Sequence, residues 1–181
     1  MSGYRELLIG CGYARDKRIV VSGATREWKN LTTLDWLEEV KPDIRADLTK
    51  AAWSRIFDPQ TFEEVHAYEV LEHLGRQGDA ESFFDTFNEL YYLLKPNGYL
   101  CATVPSRFSQ WLWGDPGHTR VLLPATLMFL SREQFRKQRE DGTSMSDYRQ
   151  YMDCDFNILR SDDDKTTHRF ILQKVSPQRH V

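Results

Sequence analysis

The segment Glu6–Gly12 reads Glu-Leu-Leu-Ile-Gly-Cys-Gly, a short apolar run that ends at two glycines. Its apolar residues do not alternate with polar ones, which is typical of a parallel strand buried on both faces. Glycines directly after such a strand allow a tight turn and let backbone N–H groups approach a ligand closely. The full dinucleotide-binding pattern needs a third glycine at position 15, where this chain has Arg15. On this pattern alone, a ligand site and a purely structural turn are equally supported.

Four more apolar segments have the length and composition of strands. They are Leu31–Trp36, Asp43–Leu48, Val65–Tyr68 and Tyr99–Val104. Near the C-terminus, Phe156–Leu159 and Arg169–Val175 flank the polar turn Ser161–Asp164 and predict an antiparallel hairpin. Strands that alternate with helical segments and end in a hairpin predict an α/β fold, with a mostly parallel sheet and an antiparallel edge.

The segment between the fourth and fifth strands has the clearest helical pattern. Asp79 follows Gly78 as a natural N-cap, and apolar residues then recur at the spacing of one helix face. These residues are Ala80, Phe83, Phe84, Phe87, Leu90, Tyr91 and Leu94. The helix should end at Lys95–Gly98, where a cation, a proline and a turn glycine occur together. The stripe predicts a core helix, and the capping-box spacing of Ser131–Gln134 predicts another helix near Phe135.

Composition narrows the possible functions. A chain of 181 residues suits a single domain, residues 1–181, and 24 basic against 27 acidic residues leave a formal net charge of −3. Nucleic acid is therefore not an expected partner. No apolar run could span a bilayer and Glu6 interrupts any signal-peptide pattern, so we expect a cytoplasmic protein with no membrane partner. Cys11, Cys101 and Cys154 lack zinc-site spacing, so we expect reduced thiols and no metal site.

Acidic residues lie at or near the ends of the predicted strands. In an open parallel sheet, ligands bind at the carboxyl ends of the strands, near the point where the strand order reverses. Asp35 could accept hydrogen bonds from a ribose diol, or equally cap a helix over Trp36–Val40. Asp47 could accept from the exocyclic amine of adenine. Equally, Asp47 or Thr49 could cap a helix that carries Trp53.

Together these segments resemble the ordered motifs of class I S-adenosylmethionine-dependent methyltransferases. The motifs that carry the resemblance are Leu7–Gly12, Thr33–Asp35, Pro42–Leu48, Tyr68–Leu74 and Leu93–Leu100. The similarity covers roughly Leu7–Val104, and the C-terminal hairpin matches that family's antiparallel sixth and seventh strands. The segments Tyr68–Leu74 and Gly114–Arg120 are most similar to a compact branch of predicted methyltransferases, many of them phage-encoded. The implied fold is a three-layer, Rossmann-like α/β sandwich.

The resemblance implies S-adenosylmethionine as cofactor and S-adenosylhomocysteine as product, bound by the half up to about residue 104. The implied contacts are Gly10, Cys11, Gly12, Asp35, Asp47, Leu48, Tyr68 and Glu69. The glycine loop would approach the methionine part and Asp35 the ribose. Asp47 and Leu48 would contact adenine, while Tyr68 and Glu69 would border the sulfonium. The segment Tyr13–Asn30 departs from the family's pattern and is expected to lack the usual helix.

The half beyond about residue 105 is expected to serve the methyl acceptor. His118 is the first candidate for a general base, because the pKa of histidine is near neutral. Arg120 would anchor an anionic acceptor or pair with Asp115, although all three side chains could instead simply hold their loop closed. His73 is a further catalytic candidate, together with Glu72.

Two tryptophans stand just before this loop. Trp111 and Trp113 could wall an acceptor pocket or cover an apolar sheet edge. The leading prediction is a methyltransferase acting on a small molecule or on an exposed group of a larger one. The main alternative is a non-catalytic domain that binds the cofactor or its product and acts as an interaction module. An NAD-dependent oxidoreductase is opposed by Arg15 and by the second acidic strand end at Asp47.

Overall fold

The computed structural model describes residues 3–50, 52–143 and 145–176. Its strands are β1 (Glu6–Ile9), β2 (Leu31–Asp35), β3 (Ile44–Arg45), β4 (Phe62–Tyr68), β5 (Leu94–Pro105), β6 (Phe156–Asp163) and β7 (Thr167–Lys174). They form one sheet in the order β3-β2-β1-β4-β5-β7-β6. Strands β1 to β5 pair in parallel, and β7 pairs antiparallel with both β5 and β6. This confirms the predicted α/β class and the antiparallel hairpin.

The described residues form four α-helices outside the sheet. They are α1 (Ala80–Leu93), α2 (Trp111–Gly114), α3 (Pro124–Leu127) and α4 (Arg132–Glu140). Single 3₁₀ turns occur at Glu38–Val40, Trp53–Arg55, Leu71–His73, Met128–Leu130 and Arg149–Tyr151. Within the described part of the chain, no helix has the length and apolar character needed to cross a membrane.

Helix α1 covers one face of the sheet and confirms the predicted core helix. The Asp79 side chain caps it by accepting a hydrogen bond from Ser82 N at 3.1 Å. The buried stripe consists of Phe83, Phe84, Phe87, Leu90 and Leu93. Burial of each such side chain stabilises the fold by about 1.5–3 kcal/mol before entropy is counted. The helix therefore fixes the turn that precedes it, which carries several candidate site residues. The second predicted helix is also present: the Ser131 side chain accepts from Gln134 N and caps α4.

The opposite face near β1 is covered by the connection from Gly10 to Asn30, which contains no helix, as predicted. Because the connection has no helical hydrogen bonds, hydrogen bonds from its side chains hold it in position. The Arg15 guanidinium donates to Val40 O at 2.6 Å, and Trp28 Nε1 donates to the backbone oxygen of Arg15 at 2.6 Å. The connection has a defined path along the sheet because its own side chains bond to backbone oxygens.

Two of the weaker helix predictions were wrong. The stretch expected to form a helix from Trp36 to Val40 contains one 3₁₀ turn, and so does the stretch around Trp53. In the first case Lys41 adopts a left-handed conformation with φ of 50°, and Pro42 follows it. A proline disfavours the helical region for the residue before it, so the turn cannot continue.

Candidate functional site at the carboxyl edge of the sheet

The glycine loop after β1 is held in a conformation that favours glycine. Gly10 and Gly12 have φ values of 59° and 52°, in the left-handed region. A Cβ atom on Gly10 would lie 2.3 Å from Val70 Cγ2, so the loop packs against the turn after β4. Cys11 between them is buried and donates its N–H to Leu34 O at 3.1 Å. The loop is thus fixed to the ends of both neighbouring strands.

Asp35 ends β2 and joins this loop. One carboxylate oxygen accepts a hydrogen bond from Gly12 N at 3.0 Å, and the other accepts from Leu37 N at 2.9 Å. The residue is 7% exposed. Asp35 therefore lies beside the glycine loop, and the contact that we expect with a ribose stays a prediction. It does not cap a helix over Trp36–Val40, because the 3₁₀ turn there has Leu37 as its N-cap, without a side-chain capping hydrogen bond.

Exposed aromatic rings directly follow the glycine loop and Asp35. Tyr13 is 79% exposed and Trp36 is 67% exposed. Since β1 and β2 are parallel neighbours, both rings lie at the carboxyl edge of the sheet. Our sequence reasoning missed them as site candidates. The available signal was a large aromatic residue immediately after each of two predicted strand ends.

Asp47 and Leu48 lie farther along this edge. Asp47 accepts hydrogen bonds from Thr49 N at 3.0 Å, Thr49 Oγ1 at 2.6 Å and Lys50 Nζ at 2.6 Å. The hydrogen bonds from Lys50 and Thr49 lower the pKa of Asp47 to about 2. Leu48 O accepts from Trp53 Nε1 at 3.3 Å. These contacts close a local turn at Thr49, and neither Asp47 nor Thr49 caps the 3₁₀ turn at Trp53, whose N-cap is Ala52, without a side-chain capping hydrogen bond. A contact of Asp47 with adenine stays a prediction.

Tyr68 requires a correction. Its side chain is 6% exposed and points under the connection after β1, where its hydroxyl oxygen accepts from Arg18 N and Ile19 N, each at 3.2 Å. Side chains alternate between the two faces of a strand, and Tyr68 shares its face with His66. The tyrosine side chain therefore holds the fold together and does not border the predicted sulfonium position.

Glu69 follows β4 and occupies the same edge as the glycine loop. It is exposed, has a left-handed φ of 57°, and donates its N–H to Thr103 O at 2.8 Å. Strand order reverses between β1 and β4, which is the place where ligands bind in sheets of this kind. The structure thus brings Glu69 and the glycine loop together at this point.

Three candidates for the chemistry converge beyond Glu69. The carboxylate of Glu72 is 1% exposed and lies beside the Glu69 carboxylate, and no described residue donates a hydrogen bond to its oxygens. His118 Nε2 lies 3.9 Å from Glu72 Oε1 and 3.8 Å from Asp115 Oδ2, and its Nδ1 is buried without a partner. The His73 ring meets the His118 ring edge-on at a centroid distance of 4.8 Å. We call Glu72, His73 and His118 the edge cluster.

Burial dominates the electrostatics of this cluster. Removal from water raises the pKa of Glu72 to about 8, and the negative charges of Glu69 and Asp115 add to the effect. The backbone of Glu72 is fixed by two hydrogen bonds: its carbonyl oxygen accepts from Thr119 N at 2.9 Å and from Arg120 N at 3.0 Å. The loop that carries His118 is fixed against the Glu72 turn in this way.

Arg120 also requires a correction. Its guanidinium is buried and donates to Leu74 O at 3.2 Å, Asp79 O at 3.0 Å and Ser82 Oγ at 2.9 Å. These partners tie the turn before α1 to the following loop. The arginine does not pair with Asp115, and its hydrogen bonds support the structural alternative over an anchor for an anionic acceptor.

Aromatic residues also follow β5. Phe108, Trp111 and Trp113 are 67%, 60% and 75% exposed. The two tryptophans therefore do not cover an apolar sheet edge, which was one of the two expectations for them. Arg107 in the same segment pairs with Asp163 of β6 at 2.7 Å.

Solved structures with a similar fold are known. A methyltransferase dependent on S-adenosylmethionine from Archaeoglobus fulgidus is 18% identical, with a TM-score of 0.56 over 94% of this chain and 86% of the other. N-methyltransferase NodS from Bradyrhizobium japonicum WM9 is 13% identical, with a TM-score of 0.53 over 96% and 86%. The CurJ carbon methyltransferase is 17% identical, with a TM-score of 0.52 over 96% and 49%.

The chain has a methyltransferase fold. No protein-family model matches its sequence, and no curated protein matches it. At these identities the similarity establishes the fold, and the functional argument has to come from the site itself.

Proposed function

We propose that the protein is a methyltransferase that binds S-adenosylmethionine between the carboxyl ends of β1, β2 and β4. The observation that carries this proposal is the hydrogen bond from Gly12 N to the Asp35 carboxylate at 3.0 Å. It places an acidic side chain at the end of β2 directly beside a glycine loop at the end of β1. Both lie next to the reversal of strand order between β1 and β4, the place where ligands bind in sheets of this kind.

The glycine loop fits a ligand of this kind. A Cβ atom on Gly12 would meet no other atom within 4 Å, so the loop leaves open space on its outer side. Each Asp35 oxygen accepts one backbone N–H and keeps a further acceptor position for a ribose hydroxyl. When bound, the cofactor supplies an activated methyl group on a sulfonium.

The remaining cofactor contacts form part of the same proposal. Glu69 would lie beside the cationic sulfonium, where a carboxylate is favourable. Asp47 and Leu48 would approach the adenine, and the exposed Trp36 ring at the end of β2 would pack beside the nucleoside.

The edge cluster and the aromatic segment after β5 would serve the acceptor. Methyl transfer needs in-line positioning of a nucleophile, and a protonated acceptor must also lose a proton. In this proposal His118 and His73 act on the acceptor, while Phe108, Trp111 and Trp113 contact its apolar part. The similar structures include an N-methyltransferase and a carbon methyltransferase, so the fold alone does not choose the acceptor atom.

Location and partners follow from the proposal. Cys11, Cys101 and Cys154 are free and buried, which agrees with a reducing compartment, and we propose a cytoplasmic enzyme. The net charge of −3 favours a small-molecule acceptor over nucleic acid.

Calorimetric titration with S-adenosylmethionine and S-adenosylhomocysteine tests the cofactor assignment. We expect saturable binding of both, and a loss of affinity of about 100-fold in Asp35→Ala, because a hydrogen bond to a charged group contributes about 1.5–3 kcal/mol. Asp43→Ala is the matched control, since Asp43 also accepts a backbone hydrogen bond, from Thr33 N at 2.8 Å. Absence of binding in the folded wild-type protein would contradict the proposal.

Methyl transfer from labelled S-adenosylmethionine to a panel of amines, phenols and carbon acids tests the catalytic part. With any acceptor found, His118→Ala should lower kcat by about 100-fold while the Kd for the cofactor stays within about twofold. Cofactor binding without transfer to any acceptor class would favour the non-catalytic alternative instead.

A further inference from the structure

The edge cluster contains a buried carboxylate, that of Glu72, without a cation or a hydrogen-bond donor among the described residues to compensate its charge. Glu72 is 1% exposed, and no residue in the described part of the chain donates a hydrogen bond to either of its oxygens. Its neighbour is a second carboxylate, that of Glu69, which adds negative charge rather than compensating it. Burial of an ionised carboxylate without a compensating partner is costly, so buried carboxylates are paired or bind metal ions. Among the residues that the structure describes, the only group within salt-bridge distance of Glu72 that could carry a positive charge is His118, at 3.9 Å.

The two histidines lie close to this carboxylate and to each other. One atom each of Glu72, His73 and His118 can be chosen so that all three lie within 4.8 Å of one another. His118 has a side-chain exposure of 9%, and its Nδ1 is buried without a partner. A modest contraction would suffice for one ion, because ligands at about 2.1 Å from a metal lie about 3–3.4 Å apart.

The orientation of His73 supports a ligand role. Its Nδ1 lies 2.9 Å from Gly117 O, and a carbonyl oxygen can only accept a hydrogen bond. Nδ1 therefore carries the proton, and the lone pair is on Nε2. Metal-binding histidines are oriented in this way, with the second ring nitrogen donating to a backbone carbonyl or a carboxylate.

We propose that Glu72, His73 and His118 bind one divalent transition-metal ion of the zinc, iron(II) or manganese(II) class. Two imidazoles and one carboxylate favour such ions over magnesium and calcium, which prefer all-oxygen sites. Three protein ligands leave a position open, as in catalytic sites. With the ion bound, His73 and His118 would act on the acceptor through the metal rather than as free bases, because their lone pairs would be coordinated. The proposal replaces the sequence-based expectation of no metal site, which considered only cysteine spacing.

A second group of residues with metal-binding side chains serves as a comparison for the proposed site. Glu64, His66 and Cys101 also lie close together and are fully buried. Here, however, Lys17 Nζ lies 2.7 Å from Glu64 Oε2, so the chain itself supplies the cation. His66 Nε2 is 2.8 Å from the same oxygen. This group is satisfied, and we propose no metal there.

The test is a titration of untagged, chelator-treated protein with Zn²⁺, followed by calorimetry and by thermal unfolding. We expect one ion per chain and a raised Tm in the wild-type protein, and about 100-fold weaker binding in Glu72→Gln and in His118→Ala. His73 is exposed, so His73→Ala should fold and still lose affinity. Glu89→Gln is the matched control, because Glu89 is a half-buried glutamate outside the cluster.

Equal Zn²⁺ affinity in the wild type, Glu72→Gln and His73→Ala would overturn the metal site. Titration of the same samples with S-adenosylhomocysteine separates this result from a failure of the proposed function. Metal binding that is lost in the variants, with no cofactor binding in any sample, would support the metal site and contradict the methyltransferase. Cofactor binding with no difference in metal affinity would do the reverse.

Discussion

Two clusters in the described part of the chain combine a buried glutamate with histidine, and they differ in whether the chain supplies a cation to that glutamate. The first, which we call the Lys17 network, lies on the sheet face beneath the connection after β1. Lys17 Nζ contacts Glu6 Oε1 at 2.5 Å and Glu64 Oε2 at 2.7 Å. The second is the edge cluster, in which no described residue donates a hydrogen bond to the Glu72 carboxylate.

Hydrogen bonds in the Lys17 network form a continuous chain. The hydroxyl oxygen of Tyr68 accepts from Arg18 N and Ile19 N, so its proton is directed to His66 Nδ1 at 2.6 Å. His66 Nε2 then carries the ring proton and donates to Glu64 at 2.8 Å. Burial lowers the pKa of His66, which keeps the ring neutral in this role. Every charge has a partner, and the network fixes the helix-free connection to the sheet.

The comparison shows that a buried glutamate can have two different roles, one in maintaining the fold and one in the proposed binding of a ligand. In the Lys17 network the charges of the acids are compensated, because a cation from the chain lies between them, and removal of that cation would leave them buried and unpaired. In the edge cluster the acid is retained without such a partner, at the carboxyl edge where ligands bind. A buried group that violates the usual pairing rule marks a functional site more reliably than one that obeys it.

Removal of the lysine should produce the largest effect. Lys17→Met leaves Glu6 and Glu64 buried without their cation, and we expect the free energy of unfolding to fall by about 3–5 kcal/mol. Urea denaturation measures the change. Lys50→Met is the control, because Lys50 is 81% exposed in its pair with Asp47 and should change stability by less than about 0.5 kcal/mol. Equal effects of the two variants would show that the Lys17 network does not stabilise the fold.

The second-largest effect that we expect is a loss of stability at acidic pH, caused by protonation of Glu64 in the Lys17 network. Burial raises the pKa of Glu64, but hydrogen bonds with His66, Lys17 and Tyr4 outweigh it and bring the value to about 2, below the ordinary 4.5. A lowered pKa in the folded state means that the stabilisation is complete above about pH 4.5 and is lost as the pH falls toward 2. The expected loss is on the order of 3 kcal/mol. Denaturation of the wild type and Glu64→Gln across this range measures it, and parallel curves would contradict the assignment.

The smallest predicted effect has the opposite sign. Without metal at pH 8, Glu72→Gln removes a buried carboxylate that has no partner, and we expect the free energy of unfolding to rise by about 1 kcal/mol. The same substitution at Glu64 should lower it, because that carboxylate is paired. Denaturation of both variants in chelator compares the signs directly. A loss of stability in Glu72→Gln would mean that Glu72 has a stabilising partner and that the two clusters do not differ.

Local sequence patterns were sufficient for the main elements. The glycine loop, the strand end at Asp35, helix α1 and the terminal hairpin were all predicted, because each depends on residues within a few positions of one another. The periodicity of α1 and its cap at Asp79 act within one segment of chain. The missing helix after Gly12 was likewise visible as a departure from the pattern of the resembling family.

Tertiary structure alone decided which side chains meet. Tyr68 turned to the sheet face of the Lys17 network, since the register of β4 sets its direction. Arg120 became a structural donor because the chain after β5 returns to the turn before α1. The sequence presented Glu72 and His118 as rivals for one role, and the fold brought them within 3.9 Å of each other. Such contacts depend on long-range packing of several elements, which no local spacing records.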